Sequence, residues 1–404
     1  MTEHTLTRYE HAEQALRNEH LMQALYDAGK EVLMESALVT LHGKEHQDRK
    51  RLETKIFRRD FMQYFEQELL PDMLAETITP YLESRELDVV EFGYRVMIHL
   101  AIAFAGIDRQ AKTIEETETL LKLIRVFGQA ATLGQIKGDP EPVKQEIRDH
   151  LKLFETDFFL PSFDKREALV RQWREGTISD AALPRDVLTL LIQNDDNLSL
   201  DRDTIMRETA FYYLAGAHTS VHSLTHLVHH LLTWCDDHPA DRARLASDIS
   251  LVQRFAHESF RLHPSSPVAK RRALQALTLP DGTEAAADDI VIVDLRSANR
   301  SPTLFGADAD KFNPFREAPA SIQLHGISFG SGAHVCIGRN LAAGVLQSSA
   351  SQAPQYGTIT LIAHRLLTAG ITHHPMESPR LNAQINRETW EYYPAVLNPE
   401  GLGK

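Results

Sequence analysis

The chain has 404 residues and a formal net charge of −13, with 43% hydrophobic and 25% charged residues. That length is ample for a large buried core, and the acidic balance argues against nucleic acid as a partner. The opening Met-Thr-Glu-His-Thr-Leu-Thr-Arg lacks the apolar core of a signal peptide, and no run of about 18 apolar residues occurs, so no membrane span is expected.

Residues 8–28 place Ala12, Ala15, Leu16, Leu21, Leu25 and Ala28 at helical spacing, with Gly29 as a stop. A second helix is expected over His46–Phe65. It is strongly basic, with Arg49, Lys50, Arg51, Lys55, Arg58 and Arg59, a local excess in an acidic chain; the plain reading of such a run is a solvated face. Residues 87–105 and 113–133 are apolar-rich and helical, and Gly138-Asp139-Pro140-Glu141-Pro142 breaks the chain. Residues 143–175 keep helical spacing up to an expected interruption at Leu160-Pro161-Ser162. Phe158, Phe159, Phe163 and Trp173 line a pocket or fill core, and core is favoured at this spacing. A helix over 184–196 ends in Asn-Asp-Asp-Asn.

Residues 201–235 form one long helix, with Asp203 favourably placed in its first turn. Its middle reads Ala215-Gly216-Ala217-His218-Thr219-Ser220. His218, His222, His226 and His229 fall within an arc of about 80°, with His230 beside them. Histidines at i and i+4 can bind zinc, but a closed site needs four ligands, so a polar stripe is favoured. Over 249–263 a further helix carries Glu258 and Arg261 at i and i+3, able to pair on one face. Strands and turns follow from Pro264 to Val293, with Asp281-Gly282 marking a hairpin and Ile290–Val293 a strand, then a turn at Ala298–Pro302. After Asn340–Ala343 the polar stretch Ser348–Tyr356 reads as an inserted loop; helical spacing resumes over 358–369, and residues 376–404 are extended and turn-rich.

Phe329 to Gly338 reads Phe-Gly-Ser-Gly-Ala-His-Val-Cys-Ile-Gly. Glycines at 330, 332 and 338 allow positive φ and close approach to a flat partner. Such a loop can aim N–H groups at one sulfur, and a thiolate so held is a soft ligand that suits haem iron. The competing reading is an inert cysteine in a glycine-rich turn. Phe-x-x-Gly-x-x-x-Cys-x-Gly, filled by Phe329, Gly332, Cys336 and Gly338, resembles the cysteine-ligand loop of the cytochrome P450 family, the haem-thiolate monooxygenases.

The resemblance extends over roughly residues 7–404. It implies a mainly α fold, one large helical domain with small β-sheets over 1–404, without the N-terminal helix and strands that usually precede a stretch like Thr7–Glu10. It implies haem b (iron protoporphyrin IX) with Cys336 on the iron. Phe329, Gly330 and Gly338 then shape the ligand loop, and His46, Lys50, Arg51, Arg271 (with Arg272 as neighbour) and His334 meet the propionates. Lys50 stands where the family's His-x-x-x-Arg pair has arginine. Gly216 leaves room for oxygen and Thr219 hands on a proton, while His218 replaces the family's acid and is a candidate relay. Glu258, Arg261 and Arg316, the last from Phe312-Asn313-Pro314-Phe315-Arg316, are implied to form a structural triad.

The implied function is insertion of one oxygen atom into a small organic molecule, by hydroxylation or a related oxidation such as epoxidation or C–C coupling. The weighed alternative is a haem-binding protein of the same fold without turnover. No dinucleotide fingerprint or four-cysteine cluster occurs, so electrons are expected from a separate ferredoxin and an NAD(P)H-dependent ferredoxin reductase. With Cys336 on iron, Cys235 has no disulfide partner, which fits a cytoplasmic location.

Overall fold

The computed structural model describes residues 1–136, 138–346, 354–383, 385 and 387–398. The chain opens with a strand ahead of residue 7, β1 (Glu3–Leu6), followed by α1 (Tyr9–Arg17). The helix expected to run to residue 28 stops early because Asn18 is extended and accepts a bond from the His20 N–H at 2.9 Å. That side-chain turn redirects the chain into β2 (Leu21–Gln23), before the short α2 (Asp27–Gly29). The helix expected over His46–Phe65 is likewise two pieces, α3 (Gly43–Glu53) and α4 (Arg59–Tyr64). The Thr54 hydroxyl bonds back to the Lys50 carbonyl at 2.8 Å, a tight 3₁₀ turn follows, and Arg58 is extended.

Next come α5 (Leu70–Ser84), β3 (Glu86–Asp88), α6 (Val89–Ala105), α7 (Ile114–Ala130), α8 (Glu141–Phe154) and α9 (Leu160–Arg174). The interruption expected at Leu160–Ser162 does not occur. A π turn over Glu155–Phe159 carries the helical backbone from α8 into α9, and Pro161 follows directly after it without breaking the run. Phe158, Phe159 and Phe163 are buried core. After α10 (Val187–Gln193) and α11 (Asp195–Leu198), α12 runs from Arg202 to Asp237, and the Asp201 carboxylate accepts from the Thr204 N–H at 2.8 Å.

The remaining elements are α13 (Asp241–Ser247), α14 (Ile249–Leu262), β4 (Val268–Ala273), β5 (Leu277–Thr278), β6 (Glu284–Ala285), β7 (Ile290–Asp294), α15 (Leu295–Ala298), α16 (Pro302–Phe305), α17 (Arg339–Ala343), α18 (Thr358–Thr368), β8 (Ile371–His373), β9 (Arg380–Leu381), β10 (Trp390–Tyr392) and β11 (Pro394–Leu397). Most of the expected inserted loop, residues 347–353, lies outside the described residues. Its base is closed tightly: Val345 bridges Gln355, and a Cβ on Gly344 would collide with the Gln355 carbonyl. Glu66 accepts from the Tyr356 and Gly357 N–H groups at 3.1 and 2.8 Å.

The strands form sheets ordered β1-β7-β4-β2 and β3-β11-β8, with β5/β6 and β9/β10 as pairs. β1 lies parallel to β7, with Leu6 opposite Val293, and β4 antiparallel to it, with Arg271 opposite Val291. Contacts group into two compact units. One comprises Met1–Met22, Arg59–Val96 and Thr219–Lys404; the other comprises Gln23–Arg58 and Met97–His218. In the first, Tyr9, Ala12 and Leu16 of α1 are buried with Val291, Val293 and Phe305. In the second, Phe127, Phe154 and Tyr213 pack ring on ring, and the Tyr213 hydroxyl donates to the Leu120 carbonyl at 2.7 Å. Among the described residues no helix is long and apolar enough to cross a membrane.

Candidate active site

The cysteine loop is shaped by two of its three glycines. Gly330 and Gly332 have φ of +75° and +69°, where a side chain is strained. Gly332 is also pressed against α1: a Cβ there would lie 2.7 Å from the Leu16 carbonyl and 2.9 Å from Arg17 Cα. Arg17 Nε donates to Ser331 Oγ at 2.9 Å, so the end of α1 braces the loop. Gly338 corrects the sequence expectation. Its φ is −82° because it opens α17, accepting from the Ala342 N–H at 3.0 Å. The Cys336 N–H donates to the Phe329 carbonyl at 2.9 Å, closing the loop on itself. Neither cysteine is in a disulfide; Cys336 is exposed and Cys235 buried.

Behind the loop stands α14. Arg261 donates from Nε and Nη2 to the two oxygens of Glu258, both at 2.7 Å, and Arg316 Nε donates to Glu258 at 3.0 Å. The expected triad is therefore formed, with its Glu258 and Arg261 side chains fully buried. Asn299 carries this framework to the loop. Its carbonyl accepts from Arg261 at 2.7 Å, its side chain accepts from the Ile327 N–H at 2.9 Å, and it donates to Ser328 Oγ at 2.7 Å. Phe329 then sits with its ring centroid 5.4 Å from Phe260 and 5.0 Å from His325. The sequence reading named the turn containing Asn299 but not this role. Beyond the cysteine, His257 of α14 meets the Ala343 carbonyl at 2.9 Å, and Gln253 donates to the Gln355 carbonyl at 2.8 Å.

The other expected site residues divide between the units. Cys336, Phe329, Gly330, Gly338, His334, Arg271 and Thr219 belong to the first, and His46, Lys50, Arg51, Gly216 and His218 to the second. His334 ends a 3₁₀ turn two residues before the cysteine. Arg271 is buried on β4, its guanidinium donating to the Lys270 carbonyl at 3.1 Å. His46 is buried on α3, and burial first, then Lys50 and His42, pushes its pKa down to about 4. Gly216 and Thr219 are exposed along one side of α12, although Leu214, Ala217 and Val221 around them are buried. A Cβ on Gly216 would meet nothing within 4 Å. The His218 imidazole packs on α7, where a Cβ on Gly128 would lie 3.4 Å from its Nδ1.

The basic helix proves less solvated than its sequence suggests. Arg49 is buried, donating to Glu53 at 2.9 Å and Glu208 at 2.6 Å, while the Tyr212 hydroxyl donates to Glu53 at 2.7 Å. Burial pushes the Glu53 carboxyl up, and burial with the neighbouring Glu53 pushes Glu208 well up. The polar stripe of histidines is largely packed inside the fold, with His222 and His226 buried. His226 stacks on His263 with centroids 4.0 Å apart, and His222 lies 4.6 Å from His226. No group of three or more His, Cys, Asp or Glu poised for a metal ion occurs among the described residues.

A mainly helical scaffold that braces an exposed cysteine on a glycine-hinged loop is the layout of the haem-thiolate proteins. The cytochrome P450 family model matches residues 2–347, so the chain belongs to the cytochrome P450 family and is a cytochrome P450 monooxygenase. It is 24% identical over 328 residues to pulcherriminic acid synthase of Bacillus subtilis, covering 79% of this chain and 74% of that one. A putative cytochrome P450 123 of Mycobacterium tuberculosis is 31% identical over 153 residues, 38% of this chain and 36% of that one. Among solved structures, CalO2 matches with a TM-score of 0.75 at 16% identity, over 98% of this chain and 90% of that one. P450BioI bound to acyl carrier protein matches with a TM-score of 0.72 at 15% identity, over 98% and 92%. These structures share the fold. Haem is the cofactor the family implies, and the exposed Cys336 thiol on its braced, glycine-hinged loop fits it.

Proposed function

We propose that residues 1–404 act as one catalytic domain, a haem-thiolate monooxygenase that holds haem b through Cys336. The observation that carries this is the braced cysteine loop, with Gly332 held against α1 and Asn299 tying Ile327 and Ser328 to Arg261. When bound, the haem supplies the oxygen-activating redox chemistry. The chain supplies a soft sulfur at Cys336, room for a close flat partner at Gly330 and Gly338, and an apolar ring at Phe329. His46, Lys50, Arg51, Arg271 and His334 hold the propionates; His46, neutral at pH 7, serves as an N–H donor. Gly216 keeps a side chain out of the reaction space, and the Thr219 hydroxyl passes a proton into it. His218 relays protons to Thr219, which it directly precedes on α12.

The reaction is hydroxylation or a related oxidation of a small organic molecule. Likeness to pulcherriminic acid synthase supports a biosynthetic role. A ferredoxin and its NAD(P)H-dependent reductase supply electrons in the cytoplasm, the ferredoxin docking through exposed Arg58 and Arg59. The test is the ferrous carbon monoxide spectrum. Wild type should show the red-shifted Soret band of thiolate ligation, and Cys336→His should lose it while still binding haem. A histidine-type spectrum in wild type refutes the assignment. Substrate-dependent cofactor consumption with a surrogate reductase separates turnover from haem binding alone.

A further inference from the structure

Past Thr219, α12 carries buried histidines that this chemistry does not use. His226 is only 1% exposed, and its Nε2 lies 3.1 Å from the Glu388 carbonyl. A carbonyl only accepts, so Nε2 carries the proton and Nδ1 presents a lone pair. That Nδ1 is buried without a hydrogen-bond partner, and the same holds for Trp390 Nε1, Thr389 Oγ1 and His230 Nε2. The rings among them share one neighbourhood, and Thr389 directly precedes Trp390 in the chain. The Trp390 ring centroid is 6.1 Å from His226 and 5.1 Å from His229, and His263 is 4.0 Å from His226 and 5.0 Å from His230. Buried polar atoms are nearly always satisfied, so four unmet ones together point to an occupant.

The occupant's chemistry follows from the groups. Among the charged neighbours, Glu388 is bonded to Arg296 at 2.7 Å and lies 3.9 Å from His263, and Arg387 and Arg300 are close by. Burial lowers His226 to about 4 and lowers His229, His230 and His263 too, so the imidazoles are neutral at pH 7. An anion would meet the His226 lone pair, and a cation would meet the indole N–H. A neutral group with a donor beside an acceptor, an amide, satisfies both. On the same helix, seven residues before His226, the Thr219 carbonyl accepts from Ser265 Oγ at 3.1 Å, and Ser265 Oγ lies 3.0 Å from Ser223 Oγ.

We propose that His226, His230, Thr389 and Trp390 form a binding site for a neutral amide group, and that the substrate carries one. The second half of this statement rests on the monooxygenase reading. The test is calorimetric binding to the haem-loaded protein of four probes with one ring: benzamide, toluene, benzoate and benzylammonium. Benzamide should bind about tenfold more tightly than the others. Trp390→Phe, which keeps an aromatic ring but removes the N–H, and Thr389→Val should each shrink the preference for benzamide over toluene. Equal binding of the probes, absence of benzamide binding, or a preference intact in both variants overturns the proposal. The carbon monoxide spectrum is read on the same samples. If wild type lacks the thiolate band, the monooxygenase reading fails, while the amide preference still stands or falls on the heats.

Discussion

Removing the Glu258 carboxylate should cripple this protein, and the structure says by how much. One carboxylate accepts from Arg261 twice at 2.7 Å, from Arg316 at 3.0 Å and from the Asn313 N–H at 3.0 Å. Arg316 keeps a second acid, Asp308, at 2.8 Å. Arg261 is left with carbonyls only, Asn299 at 2.7 Å and Ala309 at 2.6 Å, and its side chain is fully buried. The loss therefore falls on a desolvated guanidinium without its counter-ion, a situation that costs about 3–5 kcal/mol. Glu258→Gln, which keeps the shape, should lie near the lower figure and Glu258→Ala near the upper. The assay is urea unfolding of haem-loaded protein, with haem content per chain measured in parallel. Haem loading should fall with stability, because Arg261 also holds Asn299 and, through it, the segment leading to Phe329. A loss below about 1 kcal/mol, the scale of a surface pair, with normal haem content, would refute the reasoning.

Gly332→Ala should cost about 1–3 kcal/mol from backbone strain alone, and its clash with Leu16 should lower haem loading; a normal Soret band and melting temperature would count against it. Burial holds His226 and His257 at about 4 and His325 at about 3, all below the ordinary histidine range. These groups add no pH dependence above about 6.5, but below it the unfolded chain takes protons that the fold refuses, so stability should fall by about 1.4 kcal/mol per pH unit per histidine. Urea midpoints at a series of acidic pH values read this directly, and His257→Gln should make the decline shallower; an unchanged slope would show that His257 protonates in the fold. Thr219→Ala should divert turnover to peroxide, and His218→Ala should do so less strongly; full coupling in His218→Ala would make that histidine a bystander. Charge reversal at Arg58 and Arg59 should slow reduction by an acidic ferredoxin, less so at high salt, and identical stopped-flow rates at low salt would exclude this face.

The sequence alone determined whatever depends on one element or one short loop. The long helix with Gly216 and Thr219, the Glu258–Arg261 pair three residues apart, and the Phe329–Gly338 loop are all local patterns, and each is formed. Where local signals conflicted, the tertiary structure decided. Leu21 stands at helical spacing, yet it lies in a strand because the Asn18 turn delivers it to the sheet. Pro161 looked like a break, but the π turn just before it carries the helical backbone past it. The brace of Arg17 on Ser331, the Asn299 link, the burial of Arg49 against Glu208 and the packing of His226 onto His263 and Trp390 join residues far apart in the chain. Spacing tells which side chains share a face, but which partner that face meets is set only when the whole chain packs.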